Sequence, residues 1–152
     1  MFGVEARQYL SLSQRLTLAG HVAVRYMPVG RQAPFWTLSQ LGGDRSEVGY
    51  RQPLRGFGAE RFIDRNLFAA NAELRTRVLE RNLFGTHAIL EIAPFIDLGR
   101  VFHHMDENPL SGLHPVGGVG FRGIAEPFVV GYVDMGYGSE GVAFFSGVNY
   151  PF

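Results

Sequence analysis

Apolar and polar residues alternate with period two along most of the chain, the pattern of strands whose two faces meet different media. Over residues 2–12, Phe2, Val4, Ala6, Leu10 and Leu12 share one face, with Gln8 the exception, and Glu5, Arg7, Tyr9 and Ser11 share the other. Beyond a turn at Ser13-Gln14, residues 15–27 set Leu16, Leu18, Val22, Val24 and Tyr26 against Thr17, Ala19, His21, Ala23 and Arg25. Residues 67–79 oppose Phe68, Ala70, Ala72, Leu74, Thr76 and Val78 to Asn71, Glu73, Arg75 and Arg77. A helix is the rival for that Ala- and Arg-rich run, but helical spacing would scatter its charges, whereas period two keeps them on one face. After a turn near Arg81-Asn82, residues 86–101 oppose Ala88, Leu90, Ile92, Ile96 and Leu98 to His87, Glu91, Phe95, Asp97 and Gly99. Three Gly-rich strands come next at about 116–124, 128–137 and 141–152, joined at Glu126-Pro127 and Gly138-Ser139-Glu140.

The pattern predicts an all-β protein of seven antiparallel strands whose connections run short, long, short, medium, short, short. Outer-membrane barrels have short turns at one end and long loops at the other. The two longer connections, about 30–66 and 103–114, fall at the same end by parity. Soluble sandwiches also alternate, with the polar face toward water. Strand length favours a transmembrane barrel: several runs reach the ~9–11 residues of a tilted membrane strand, against ~5–6 in soluble sheets. Seven antiparallel strands leave open edges, which do not survive in lipid. The expectation is the C-terminal part of a larger barrel spanning residues 1–152, with N-terminal strands and periplasmic domains absent.

One stretch breaks the pattern. The run of about 28–66 has no sustained period, carries turn signals at Gly42-Gly43-Asp44, Pro53 and Gly56-Phe57-Gly58, and holds Phe35, Trp36, Tyr50 and Phe57. Long loops in compact domains are usually functional or disordered, and aromatic residues argue against disorder. It reads as an ordered, functional loop.

Composition narrows the chemistry. Net charge is zero, which gives no electrostatic case for nucleic acid. No apolar run approaches the ~18 residues of a membrane helix. The 14 basic residues are all Arg; genome composition accounts for that, as does bidentate pairing of carboxylates inside a polar lumen. With no cysteine there is no disulfide, thiolate metal site or thiol nucleophile. Met1 does not open a signal peptide, consistent with a piece of a longer outer-membrane protein. His103 and His104 with Asp106 and Glu107 lack a third ligand or nucleophile at recognisable spacing, so they read as loop surface. Gly117-Gly118-x-Gly120 precedes a strand, not a helix, and so is no phosphate loop.

The succession Leu41-Gly42-Gly43, Leu54-Arg55-Gly56-Phe57, Phe95-Ile96-Asp97-Leu98-Gly99 and an aromatic terminal strand resembles the BamA/TamA family of outer-membrane barrels, over nearly the whole chain. The resemblance implies the last seven of sixteen strands, with the long loop folded back into the lumen and Arg55 paired with Asp97. It further implies a noncatalytic role in inserting or translocating polypeptides, with no cofactor. The implied partners are the outer-membrane bilayer, unfolded client polypeptides and periplasmic or lipoprotein accessory subunits, with the C-terminus periplasmic and the long loops extracellular. The residues agree on two counts. Asp97 shares the lumen face with Glu91, Phe95 and Gly99, where Gly99 leaves room for an incoming backbone. Reach also suffices: the 25 or so residues from Gly30 to Arg55 extend to ~80 Å and the return to Phe68 to ~40 Å, against a barrel band of ~25 Å. Glu73, on the neighbouring lumen face, is a candidate second partner for Arg55, although general polar lining is the better reading for Glu73, Arg75, Arg77 and Arg122 alike.

The last strand carries a further resemblance. Val142, Phe144, Val148, Tyr150 and Phe152 alternate outward, and Gly147-x-x-Tyr150-x-Phe152 is similar to the C-terminal β-signal of outer-membrane proteins. Recognition by strand addition suits such a segment. Alternatives are a barrel that secretes or anchors one dedicated or fused partner, such as a patatin-like lipase, and a passive porin or barrel enzyme.

Overall fold

Seven long strands pair antiparallel, each with its neighbours in the chain except where the long loop intervenes. The computed structural model describes residues 2–28, 34–47, 51–83, 85–104, 108, 111–126 and 129–150. The strands are β1 (Phe2–Ser13) and β2 (Leu16–Tyr26), three short strands of the loop, β3 (Ser39–Leu41), β4 (Arg51–Gln52) and β5 (Phe62–Asp64), then β6 (Asn66–Leu83), β7 (Thr86–Phe102), β8 (His114–Glu126), β9 (Val129–Gly138) and β10 (Gly141–Val148). The main sheet has the order β1-β2-β6-β7-β8-β9-β10; the loop strands form a second sheet, β4-β3-β5. Among the described residues no pairing joins β1 to β10, so the sheet is open and not closed into a barrel.

The strands are long: β6 has 18 residues and β7 has 17. The alternation read from the sequence holds in them. Along β7, Ile89, Glu91, Ala93, Phe95 and Asp97 are buried, while Leu90 and Ile96 on the other face are exposed. β6 carries a bulge between Arg77 and Leu79, where its register against β7 shifts. A bulge sets an extra residue on one strand and increases the local twist.

The sheet is strongly curled. The guanidinium carbon of Arg75, on β6, lies 5.6 Å from the ring centre of Tyr9 on β1 and 4.1 Å from that of Tyr150, just past β10. In a flat sheet the two edges would be six strand spacings apart, roughly 29 Å. One side chain meets both because the edges bend toward each other, and the long loop lies in the trough this makes.

The partition of residues between the faces is the reverse of a soluble protein. The convex face exposes Val4, Leu10, Val24, Ile96, Phe121, Val133, Phe144 and Val148. The concave side buries His21, Arg25, Asn71, Glu73, Arg75, Glu91, Asp97, Arg122 and Asp134. Charged residues are almost never fully buried unless paired. The apolar core, small by comparison, is where the loop meets the sheet: Leu41, Leu54 and Phe57 pack with Ala23, Leu67, Ala69, Phe95 and Val116. Burying each of those three loop side chains contributes about 2 kcal/mol.

Candidate functional site

The loop's two motifs clasp each other before they meet the wall. Leu54-Arg55-Gly56-Phe57 closes as a tight turn, with the Phe57 N–H donating to the Leu54 carbonyl at 3.1 Å. Gly43 accepts from Leu54 at 2.9 Å and donates to Phe57 at 3.0 Å, so the Gly-Gly step of the first motif backs the turn of the second. Gly43 has φ of +79°, a region that strongly favours glycine. The clasp fixes Arg55 at the corner of the turn and drives it toward the sheet.

Room for that corner comes from glycines on both partners. A Cβ at Gly56 would stand 2.7 Å from Val116 Cγ2 and 2.8 Å from the Gly138 nitrogen, and one at Gly136 would stand 2.6 Å from the Arg55 carbonyl carbon. The Gly-rich strands β8 and β9 are therefore the floor on which the loop sits. Phe57 packs beside the turn in the trough of the sheet, its ring 5.0 Å from that of Phe62 and 5.7 Å from that of His114.

Arg55 is wholly buried and meets three carboxylates. Its Nε donates to Asp97 Oδ2 at 2.9 Å and its Nη2 to Asp97 Oδ1 at 2.8 Å, a bidentate pair to which its own backbone N–H adds a bond of 3.1 Å. Its Nη1 donates to Glu73 Oε2 at 2.6 Å and to Asp134 Oδ2 at 3.2 Å. Beneath it the Phe95 ring lies 3.5 Å from the guanidinium carbon, a cation–π contact strengthened by desolvation. Burial works against the charge on Arg55, but Asp97, Glu73 and Asp134 outweigh it and raise its pKa above the ordinary arginine value.

The cluster extends past the predicted pair. Arg122 is also wholly buried; its Nη2 donates to Glu73 Oε2 at 3.1 Å and its Nη1 to Asp134. Arg75 Nε donates to Glu73 Oε1 at 2.9 Å. Three guanidiniums (Arg55, Arg75, Arg122) thus face three carboxylates (Glu73, Asp97, Asp134). Formal charge inside the curl is balanced. The sequence-based preference for general lining at Glu73, Arg75 and Arg122 is corrected by these contacts, which make Glu73 the partner of Arg55 that it was a candidate to be, and Asp134 was not anticipated at all. Its face was legible, since Tyr132, Asp134 and Gly136 share a period-two side of β9, but its level opposite Gly120 depends on strand register.

Other wall residues hold the loop, most by its backbone and Tyr132 by the Asp44 carboxylate. Arg25 donates to the carbonyls of Thr37 (2.7 Å) and Leu38 (3.3 Å), Asn71 donates to that of Pro53 (3.2 Å), and the Tyr132 hydroxyl donates to Asp44. His21 bridges Asn71 and Glu5 at 2.9 and 3.1 Å. Arg61 pairs with Glu140 in the β9–β10 turn at 2.7 Å.

Three expectations change in detail. Gly99 does leave room, but for a side chain: a Cβ there would stand 2.8 Å from Leu41 Cδ2. The last strand ends at Val148 instead of continuing outward. Asn149 has φ of +79°, which turns Tyr150 inward, where its hydroxyl donates to Glu91 Oε2 at 3.1 Å. Gly147 remains within β10, while Phe152 lies outside the described residues. His103 pairs with Asp64 at 3.0 Å; Asp106 and Glu107 lie outside the described residues. Among the described residues, no group of three or more His, Asp or Glu is placed to hold a metal.

Comparison with protein-family models, curated proteins and solved structures gave no match.

Proposed function

We propose that this chain is part of an outer-membrane β-barrel of the BamA/TamA kind, which assists the insertion or translocation of polypeptides and does no covalent chemistry. The observation that carries the reading is the bidentate pair of Arg55 with Asp97, made by a loop that returns some five residues down β7 from its end at Phe102. Two features support the membrane setting. The convex face is apolar and exposed in strands of up to 18 residues, and the concave face is charged and buried. Such a face belongs against lipid, because in water an apolar patch of this extent drives association. In this reading the long loop, the 103–113 connection and the short β9–β10 turn, whose Glu140 meets Arg61 of the loop, lie outside the cell, the other short turns face the periplasm, and further strands pair with the open edges of β1 and β10.

A passive porin is the weaker alternative, because Leu41, Leu54, Arg55 and Phe57 fill the trough where a conduit would run. The left-handed turn at Asn149 ends β10, whose outer edge has no pairing neighbour among the described residues, an edge suited to strand exchange with a client.

The test is reconstitution of the full-length parent in liposomes with a urea-unfolded outer-membrane client. Faster client folding in protein-bearing vesicles, lost when Arg55 is replaced by alanine, is the expected result. Ion conductance with no acceleration of folding and no export of a partner would overturn the reading in favour of a passive pore.

A further inference from the structure

The short-turn end carries a cleft that the loop and its charge cluster do not use. β2 starts opposite Thr76 at Leu16, so β6 runs on from Arg77 to Leu83 with β7 as its pairing neighbour. At that corner the Arg77 N–H donates to the Arg15 carbonyl at 2.9 Å, which ties the β1–β2 turn to the bulge of β6. The result is a cleft of about 190 Å³ lined by Arg15, Arg77, Val78, Leu79, Glu80 and Arg81. The bulge sets Val78 and Leu79 side by side, 47% and 49% exposed, instead of on opposite faces. Arg77 leans on Glu91 at 3.4 Å. Among the described residues, neither Arg15 nor Arg81 has an ion-pair partner, and Glu80 is the single acid among the lining residues.

We infer that this cleft seats a phospholipid of the leaflet on the short-turn side. Arg15 and Arg81 hold the head-group phosphodiester, and Val78 and Leu79 lie against the start of its acyl chains. The inference rests on the membrane reading above. Arginine's planar fork matches two phosphate oxygens at once, and long basic side chains at the edge of an apolar band carry their charge to the head-group level. Cationic and apolar walls in one cleft match the two halves of such a lipid, whereas a free anion has no use for the exposed valine and leucine.

Native mass spectrometry of the full chain, released from dodecyl maltoside micelles doped with phosphatidylglycerol, tests it. Wild type retains the lipid, the doubly substituted Arg15→Gln/Arg81→Gln protein retains at least about tenfold less, and Arg45→Gln, on the exposed loop at the opposite end, retains as much as wild type. Equal retention by the double variant overturns the proposal. A variant-free comparison guards against a folding defect: diacylglycerol with the same chains lacks the phosphate, and its equal retention by wild type also overturns it. Displacement of the lipid by inorganic phosphate as readily as by more phosphatidylglycerol would make this a plain anion site instead. Failure of the full-length parent, with its further strands, to partition into vesicles of any composition overturns this inference and the membrane reading together; a parent that partitions but shows no selective retention overturns this one alone.

Discussion

Replacing Arg55 with alanine removes four side-chain hydrogen bonds, two to Asp97 and one each to Glu73 and Asp134. The consequences for the three acids differ. Glu73 keeps Arg122 and Arg75, and Asp134 keeps Arg122. Among the described residues, Asp97 keeps only the backbone N–H of position 55. The penalty should therefore fall on Asp97, as a wholly buried carboxylate without a cation, at about 3–5 kcal/mol. Asp97→Asn alone is milder, because Arg55 still holds Glu73 and Asp134; loss of charge-assisted bonds there costs about 1.5–3 kcal/mol. In the double variant Arg55→Ala/Asp97→Asn the remaining charges, Arg75 and Arg122 against Glu73 and Asp134, again balance. It should be more stable than Arg55→Ala alone by about 2 kcal/mol, the range of coupling between residues in one network.

The discriminating control is Arg55→Ala/Glu73→Gln. It also balances the count of charges but leaves Asp97 stranded, so it should recover nothing. Urea unfolding in detergent micelles, monitored by the fluorescence of the only tryptophan, Trp36, gives the stabilities. Chymotryptic cleavage after Phe57, 1% exposed in the native loop, reports release of the turn. Rescue by Glu73→Gln equal to that by Asp97→Asn would refute the local argument and leave only net charge. Single variants within about 0.5 kcal/mol of wild type, with the loop still protected, would refute the lock altogether.

Gly136→Ala should push the turn off the β9 floor, since its Cβ would meet the Arg55 carbonyl carbon at 2.6 Å; overpacking of this kind costs about 1–3 kcal/mol and should expose Phe57 to chymotrypsin. Gly131→Ala, with nothing within 4 Å, should match wild type in both assays. Asn149→Ala should cost about 1 kcal/mol through its positive φ, with Asn149→Gly neutral, and Tyr150→Phe should shift the urea midpoint by a similar amount through the lost bond to Glu91. The hydrogen bond from Arg61 holds Glu140 below the ordinary glutamate value, so the tether between loop and β9–β10 turn is intact above that value and is lost as pH falls through the lowered one. Hydrogen exchange at residues 59–62 should therefore speed up on acidification from pH ~5 to ~3 once corrected for intrinsic rates, while Glu140→Gln removes that change and leaves the unfolding midpoint in place because the pair is solvent-exposed.

The parts of the fold and site that were legible in the chain are those set by local distances. Facing is local: period two places Asp97, Glu73 and Glu91 on one side before any pairing is known, and the seven strands of the main sheet come from it. The Arg55–Asp97 contact was reachable by resemblance and chain length together. Level is not local, because it depends on how each hairpin sets its register. Asp134 comes to the height of Gly120 through the β8–β9 pairing, and so meets Arg122 from the side. The loop's own strands, two or three residues each, leave no period to read; they exist because Gly42 and Gly43 let Leu41 turn back on the second motif. The outward course expected for Tyr150 failed for a related reason: alternation presumes an unbroken strand, and a single asparagine in the left-handed region reverses the facing of the residue after it.

The difference between facing and level also makes a simple exchange of charge between positions 55 and 97 a poor test of the lock. A glutamate at 55 would enter a pocket still holding Glu73 and Asp134, and an arginine at 97 would stand beside the face that already holds Arg122 and Arg75. Seen as an isolated pair, the two residues invite the swap; seen as two members of a balanced group of six, they forbid it. Neutralising one member at a time is the perturbation the geometry can answer, since each acid has a different set of remaining cations. The loop is thus held by where each carboxylate stands as well as by the sign of its charge, and of the three acids only Asp97 depends on the loop for its counter-ion.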